Sequence, residues 1–193
     1  MIARTHDMAA ITALGVIFLS LPAQSLSLAT VIIAVVANLI GGITPDIDQP
    51  TAPFWRNLPV GKFFGKVFGK LLGGHRFFTH SILGVAFFGF LVHLLLQFLQ
   101  PIMGSVNIDV VWWAFMIGIV SHLVMDTFTK EGVPWLLPIP IKFGFPPVKA
   151  WRITTDHWVE LWVVFPGLVV FNLWFYFAHY QQLIYFFKHL ITA

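Results

Sequence analysis

The chain contains no cysteine. That excludes disulfides and thiolate-held metal, so any bound ion would have to be taken by histidine, aspartate or glutamate. Charge is scarce too: Asp, Glu, Lys and Arg make up 10% of the 193 residues, with a formal net charge of +3. So small and dispersed an excess gives no footing for nucleic acid. In their place, 58% of the residues are hydrophobic and 17% aromatic, and the mean hydropathy is +0.85. Such values lie far outside the soluble range and predict one integral membrane domain over residues 1–193, an all-α polytopic helical bundle.

At roughly 20 apolar residues per crossing, the length allows about four to six spans, and we expect five. Residues 8–21 are short for a span. Asp7 precedes them, and a turn at residues 22–25 leads directly into the next apolar run, so they read as a retained helix rather than a signal peptide. Residues 26–43, 77–99 and 110–128 form the second, third and fourth spans. The fifth, residues 158–187, contains Pro166-Gly167, which could kink or divide it.

Two segments are not spans. Residues 51–74 set Lys62, Lys66 and Lys70 four apart among Phe63, Phe64, Val67, Phe68, Leu71 and Leu72, the pattern of an amphipathic helix lying in the headgroup plane. Residues 129–156 carry Pro134, Pro138, Pro140, Pro146 and Pro147 and are expected to form an ordered surface loop. Ten of the eleven Lys and Arg residues fall in the N-terminus, residues 51–76 and residues 129–156. With five alternating spans these three regions share one face, which the positive-inside rule makes cytoplasmic.

The chemistry-bearing residues fall on that same face. His6 and Asp7 precede the first span, and Asp46 and Asp48 follow the second. His75 and His80 precede the third, His122 and Asp126 end the fourth, and Asp156, His157 and Glu160 open the fifth. His122 and Asp126, four apart on a helix, can reach one ion, and Asp46 and Asp48, two apart in an extended or turn segment, can point the same way and bridge two ions. Imidazoles and carboxylates without thiolates suit zinc first, then manganese or iron, as one or two ions with open positions for a nucleophilic water. Arg76 beside them is a natural clamp for a phosphate oxygen. His93, His179 and His189 match no cluster and are read as structural.

Pro45-Asp46-Ile47-Asp48, His75-Arg76-Phe77-Phe78-Thr79-His80-Ser81 and Ser121 to Asp126 followed by Thr129 to Trp135, together with Thr5-His6, resemble the YdjM-type family of bacterial inner-membrane, metal-dependent hydrolases. The order of acidic and histidine residues is also similar to that of zinc-dependent phospholipase C and P1-type nucleases. The resemblance implies a multi-pass inner-membrane protein whose site faces the cytoplasm and whose partners are the bilayer and a lipid or otherwise phosphorylated substrate. Carried over residue by residue, it implies His6, Asp46, Asp48, His80, His122 and Asp126 as metal ligands. His75, Arg76, Thr79 and Glu160 would then be the catalytic or substrate-holding groups. The soluble phosphoesterases carry a further histidine where residues 129–156 have none; His157 with Glu160 stands nearest to it.

Three functions are compatible with this pattern. A metal-dependent hydrolase of a lipid or lipid-linked phosphoester leads. A transporter would need polar residues through both halves of several spans, and these spans are apolar away from one face. A membrane protein with a structural metal site would show an ion without an open coordination position.

Overall fold

The computed structural model describes residues 1–21, 26–56, 59–71, 76–139 and 141–192. The expected turn at residues 22–25, the end of the basic segment at 72–74, His75 and Pro140 lie outside them.

Helix α1 (Ala3–Ser20) runs antiparallel to α2 (Leu28–Ile43), which starts on Ser27, whose hydroxyl accepts from the Thr30 amide at 3.1 Å. Helix α5 (Ile82–Met103) starts on Ser81, whose hydroxyl accepts from the Gly84 amide. The cap places the helix start inside the expected span of residues 77–99 and leaves Phe77 to His80 in a turn, where side chains need not follow helical register. Helix α6 (Ile108–Thr127) is capped by Asn107, which accepts from the Asp109 and Val110 amides.

The last apolar stretch is not divided where the sequence suggests. It opens with a π-helical turn, Glu160–Val164, and continues directly as α7 (Phe165–Ala178), so that Pro166 lies immediately after the π-helical irregularity. The break falls at His179, before α8 (Tyr180–Thr192).

Among the described residues, four helical stretches are long and apolar enough to cross a membrane: Leu28–Asp48, Ile82–Met103, Ile108–Thr127 and Glu160–Ala178. Helix α1 has 18 residues, a length of about 27 Å, but Arg4, His6 and Asp7 make its first turns too polar for that group. Arg4 stays exposed and Asp7 half-buried, but other polar side chains of the helix face inward. Thr5 and His6 are buried, and the Thr12 hydroxyl accepts from Asn172 Nδ2 of α7 at 2.6 Å. Outside, Ile32, Phe90, Phe98, Trp174 and Phe177 are exposed. An apolar rim around a partly polar interior is what a hydrocarbon solvent favours.

Helices α2 and α6 form the tightest pair and run parallel, with Asn38 Nδ2 donating to the Ala114 carbonyl at 3.0 Å. Glycines permit the approach: a Cβ at Gly41 would strike the Phe115 carbonyl, and one at Gly118 the Asn38 carbonyl. Apolar attraction between helices vanishes in lipid, so close backbone contact and hydrogen bonds must hold the pair. Its ends bring Gly42 and His122 together.

Between α2 and α5, a 3-10 turn (Thr44–Asp48) leads to short α3 (Pro53–Arg56) and to α4 (Gly61–Leu71). The proline-rich connection after α6 is ordered by backbone pairs between Val133 and Phe143 and by the Arg152 guanidinium, which donates to the Pro146 and Pro147 carbonyls. The Trp135 carbonyl accepts from the Ile82 amide at 3.0 Å, tying this loop to the start of α5.

Replacing Gly118 with Leu is expected to separate α2 from α6 at a cost of about 1–3 kcal/mol or more, read as a lower denaturation midpoint in detergent. An unchanged midpoint would contradict the close packing.

Candidate metal centre

Four separate elements bring the five donors to the centre. His6 comes from the first turns of α1, Asp46 from the 3-10 turn, His80 from the turn before α5, and His122 and Asp126 from the last turns of α6. Two ion-sized groups result among the described residues, His6 with His122 and Asp126, and Asp46 with His80 and His122; within each, the donor atoms lie within 4.8 Å of one another. They overlap at His122. The His6 and His122 rings stack at 3.7 Å between centroids, 8° from parallel.

Hydrogen bonds fix which ring nitrogen faces the centre. His122 Nδ1 is 2.6 Å from the Gly42 carbonyl oxygen, which can only accept, so Nδ1 carries the hydrogen and Nε2 of the neutral ring presents a lone pair. At His80 the fixing runs through two residues. The Thr79 hydroxyl donates to Asp48 Oδ2 at 2.7 Å, so its oxygen is left to accept from His80 Nδ1 at 2.9 Å, and Nε2 again points inward as an acceptor. Outer partners that set the tautomer are the usual support of metal-binding imidazoles.

The inward atoms are all acceptors. His80 Nε2 lies 3.8 Å from Asp46 Oδ1 and 3.6 Å from Asp126 Oδ2, and His122 Nε2 lies 3.7 Å and 3.8 Å from the same two oxygens. These separations are too long for hydrogen bonds. They are close to the spacing of about 3.3–3.6 Å between ligands held about 2.0–2.2 Å from a tetrahedral ion. His122 Nε2 has no hydrogen-bond partner among the described residues, although it is fully buried. Lone pairs and carboxylates facing each other away from water repel unless a cation lies between them. The donor set and its spacing therefore fit a divalent ion of the zinc type.

Asp126 is also the hub of the surrounding charges. Its Oδ1 is 2.6 Å from the Met1 amino group and 3.3 Å from His6 Nε2, and its Oδ2 is 2.6 Å from Arg76 Nη2. Arg76 is buried, donates from Nη1 to the Thr129 hydroxyl at 2.9 Å and lies 3.7 Å from exposed Glu131. Its φ of +58° is unusual for a residue other than glycine, and the backbone is held there by the Arg76 amide donating to Asp48 Oδ2 at 3.0 Å.

Several sequence-derived roles are redistributed. Asp46 and Asp48 do not point the same way, because a 3-10 turn rotates residues two apart by about 120° from each other. Asp46 turns to His80 and His122, whereas Asp48 turns to Arg76 and Thr79 and joins neither ion-sized group among the described residues. Glu160, fully buried, accepts from the Ile2 amide at 2.7 Å and the Asp156 amide at 2.8 Å. Both oxygens are thus committed to backbone, and Glu160 anchors the segment that carries His6 instead of joining the donors. His157 is exposed and stays apart. His75 lies outside the described residues. The sequence signalled neither the Gly42 carbonyl, a backbone group at what reads as a helix stop, nor the Thr129 hydroxyl under Arg76.

Fold and site together define a polytopic helical membrane protein with a buried histidine and aspartate pocket at one end of its bundle. The chain belongs to the YdjM inner membrane protein family, whose model matches residues 1–190, and is a multi-pass inner-membrane protein. It is similar to the uncharacterized protein YvsG of Bacillus subtilis (strain 168), with 30% identity over 111 residues covering 57% of this chain and 60% of that protein. It is also similar to the inner membrane protein YdjM of Escherichia coli (strain K12) and that of Shigella flexneri, with 33% identity over 109 residues covering 54% of this chain and 48% of each. The chain spans about half the length of the curated relatives it matches. No solved structure matches it.

Thr79→Val removes the hydroxyl between Asp48 and His80 and is expected to weaken zinc binding by about 10–100-fold, measured by competition with a chromogenic chelator, while Thr79→Ser keeps wild-type affinity. Equal affinity in all three proteins would show that the relay does not support a metal ligand.

Proposed function

We propose that the protein is a metal-dependent hydrolase that cleaves a phosphoester of a lipid or lipid-linked molecule at the cytoplasmic surface of the inner membrane. The observation that carries this reading is the convergence of His80 Nε2, His122 Nε2, Asp46 Oδ1 and Asp126 Oδ2 from three separate elements at ligand-like spacings. Those four would hold the first ion. His6, with His122 and Asp126, offers the donors for a second or alternative position. When bound, such an ion would polarise a phosphoryl oxygen and bring a water molecule's pKa toward neutrality, the chemistry that phosphoester hydrolysis needs.

The protein's own groups do the rest. Asp46 is the one partly exposed donor, its side chain 21% accessible, whereas the His80, His122 and Asp126 side chains are at most 1% exposed. Substrate and water would therefore enter past Asp46. Arg76 holds Asp126 with Nη2, and its Nη1 edge, shared with Thr129 and distant Glu131, is the part a phosphate oxygen could take. A lipid substrate is favoured by an apolar groove of about 520 Å³ between α1, α6 and α7, whose walls include Ala9, Ala13, Val124, Met125 and Leu168. Met125 precedes Asp126 in the chain, and Ala9 lies one helical turn from His6, so one end of the groove reaches the level of the donors along α1 and α6. The positive face formed by residues 51–76 and 129–156 supports placing the site on the cytoplasmic side.

The deep burial of His6, His80, His122 and Asp126 also suits a structural ion. Activity separates the two readings. Purified protein is expected to contain a divalent metal by elemental analysis and to hydrolyse members of a phosphoester panel that includes lipid phosphates. His122→Ala should insert normally but lose both the metal and the turnover, by at least about 100-fold. Hydrolysis that survives in His122→Ala or in metal-stripped protein would refute the proposal, and metal without turnover on any phosphoester would leave the ion a structural role.

A further inference from the structure

Helix α4 has two faces with different chemistry. Gly61, Gly65 and Gly69 are buried, four residues apart, and turn toward the segment that follows α2. A Cβ at Gly61 would strike the Trp55 carbonyl, one at Gly65 would lie 2.8 Å from the Pro50 Cα, and one at Gly69 would come within 2.6 Å of the Asp48 carbonyl oxygen. Trp55 completes the seat. Its indole donates to the Ile47 carbonyl at 2.8 Å and stacks on Phe68 with centroids 5.5 Å apart. The helix thus rests directly on the backbone that carries Asp46 and Asp48.

The opposite face has no protein cover among the described residues. Lys62, Lys66 and Lys70 are exposed, as are Phe63, Phe64, Val67 and Leu71, the last at 75%, and the helix contains no acidic residue. Lysines interleaved with exposed phenylalanines at the polar end of a membrane bundle complement an anionic lipid surface, with ammonium groups at the phosphates and rings in the acyl boundary.

We infer that α4 is a sensor of anionic lipid, and that its glycine face passes headgroup binding to the metal centre through Asp48. The route is short and made of named contacts: Gly69 against the Asp48 carbonyl, Asp48 Oδ2 to the Thr79 hydroxyl, and Thr79 to His80 Nδ1. Seating α4 on the lipid holds Asp48 in the position that turns His80 Nε2 inward; lifting α4 releases it. The coupling rests on the metal reading above, whereas the docking of α4 on lipid does not.

The full chain in nanodiscs of phosphatidylcholine, alone or mixed with phosphatidylglycerol, tests both parts. The chain has no cysteine, so Phe64→Cys accepts a single environment-sensitive fluorophore. Its emission is expected to shift to the blue in the mixed discs only, and the combined Lys62→Gln, Lys66→Gln, Lys70→Gln variant should lose that shift. Zinc affinity should be about tenfold tighter in the mixed discs, and Gly69→Ala should abolish that gain. The same emission in both disc types, or a shift that survives loss of the three lysines, overturns the lipid surface as the partner. A shift without a change in zinc affinity overturns the coupling. Zinc binding in neither disc type counts against the metal centre itself and removes the coupling with it, while the fluorescence still decides the docking.

Discussion

The Asp126 carboxylate is where the bundle's ends are drawn together. It meets the Met1 amino group and His6 from the start of the chain, Arg76 and His80 from the turn before α5, and His122 from one turn earlier on its own helix. A carboxylate with 1% exposure at the end of a hydrophobic span is retained only where its charge is answered. Removing one partner of such a buried pair typically costs about 3–5 kcal/mol, because the other charge remains uncompensated. The same constraint organises the packing above it: α2 and α6 must run close and parallel for the Gly42 carbonyl to reach His122 Nδ1, and the glycines at 41 and 118 allow that approach.

The centre is built in two layers with separate tasks. Asp46, His80, His122, Asp126 and His6 face the interior, while Asp48, Thr79, Gly42 and Thr129 hold them in place from behind. Glu160 works at a greater distance, using both oxygens to fasten the Ile2 and Asp156 amides and so to fix the N-terminal end of α1. This division explains why residues of one chemical type serve different ends: Asp46 and Asp48 are two positions apart in the chain yet belong to different layers, because the 3-10 turn carrying them aims them apart.

Much of this was legible in the residues. Apolar runs of the right length marked the four long helical stretches, and the placement of polar groups at alternate span ends predicted that His6, Asp46, His80, His122 and Asp126 would share one face. The i, i+4 spacing of His122 and Asp126 carried the most local information, since helical geometry alone aligns them. What escaped depended on local backbone choices. The Ser81 cap moved the start of α5 and freed His80 to turn inward, and the break after α7 falls at His179, not at Pro166-Gly167, where the helix carries a π-helical turn just ahead of the proline and continues. Arg76 reads as a phosphate clamp on charge alone; its further contacts to Asp126 and Thr129 are ones that only tertiary structure brings beside it.

X-ray absorption at the zinc edge on the purified, zinc-loaded protein tests the central claim most directly. The account predicts a first shell of nitrogen and oxygen at about 2.0–2.2 Å without sulfur, together with the outer-shell scattering of two imidazoles. A shell of oxygen alone, or protein that takes up no zinc, would contradict a cation held between His80, His122, Asp46 and Asp126.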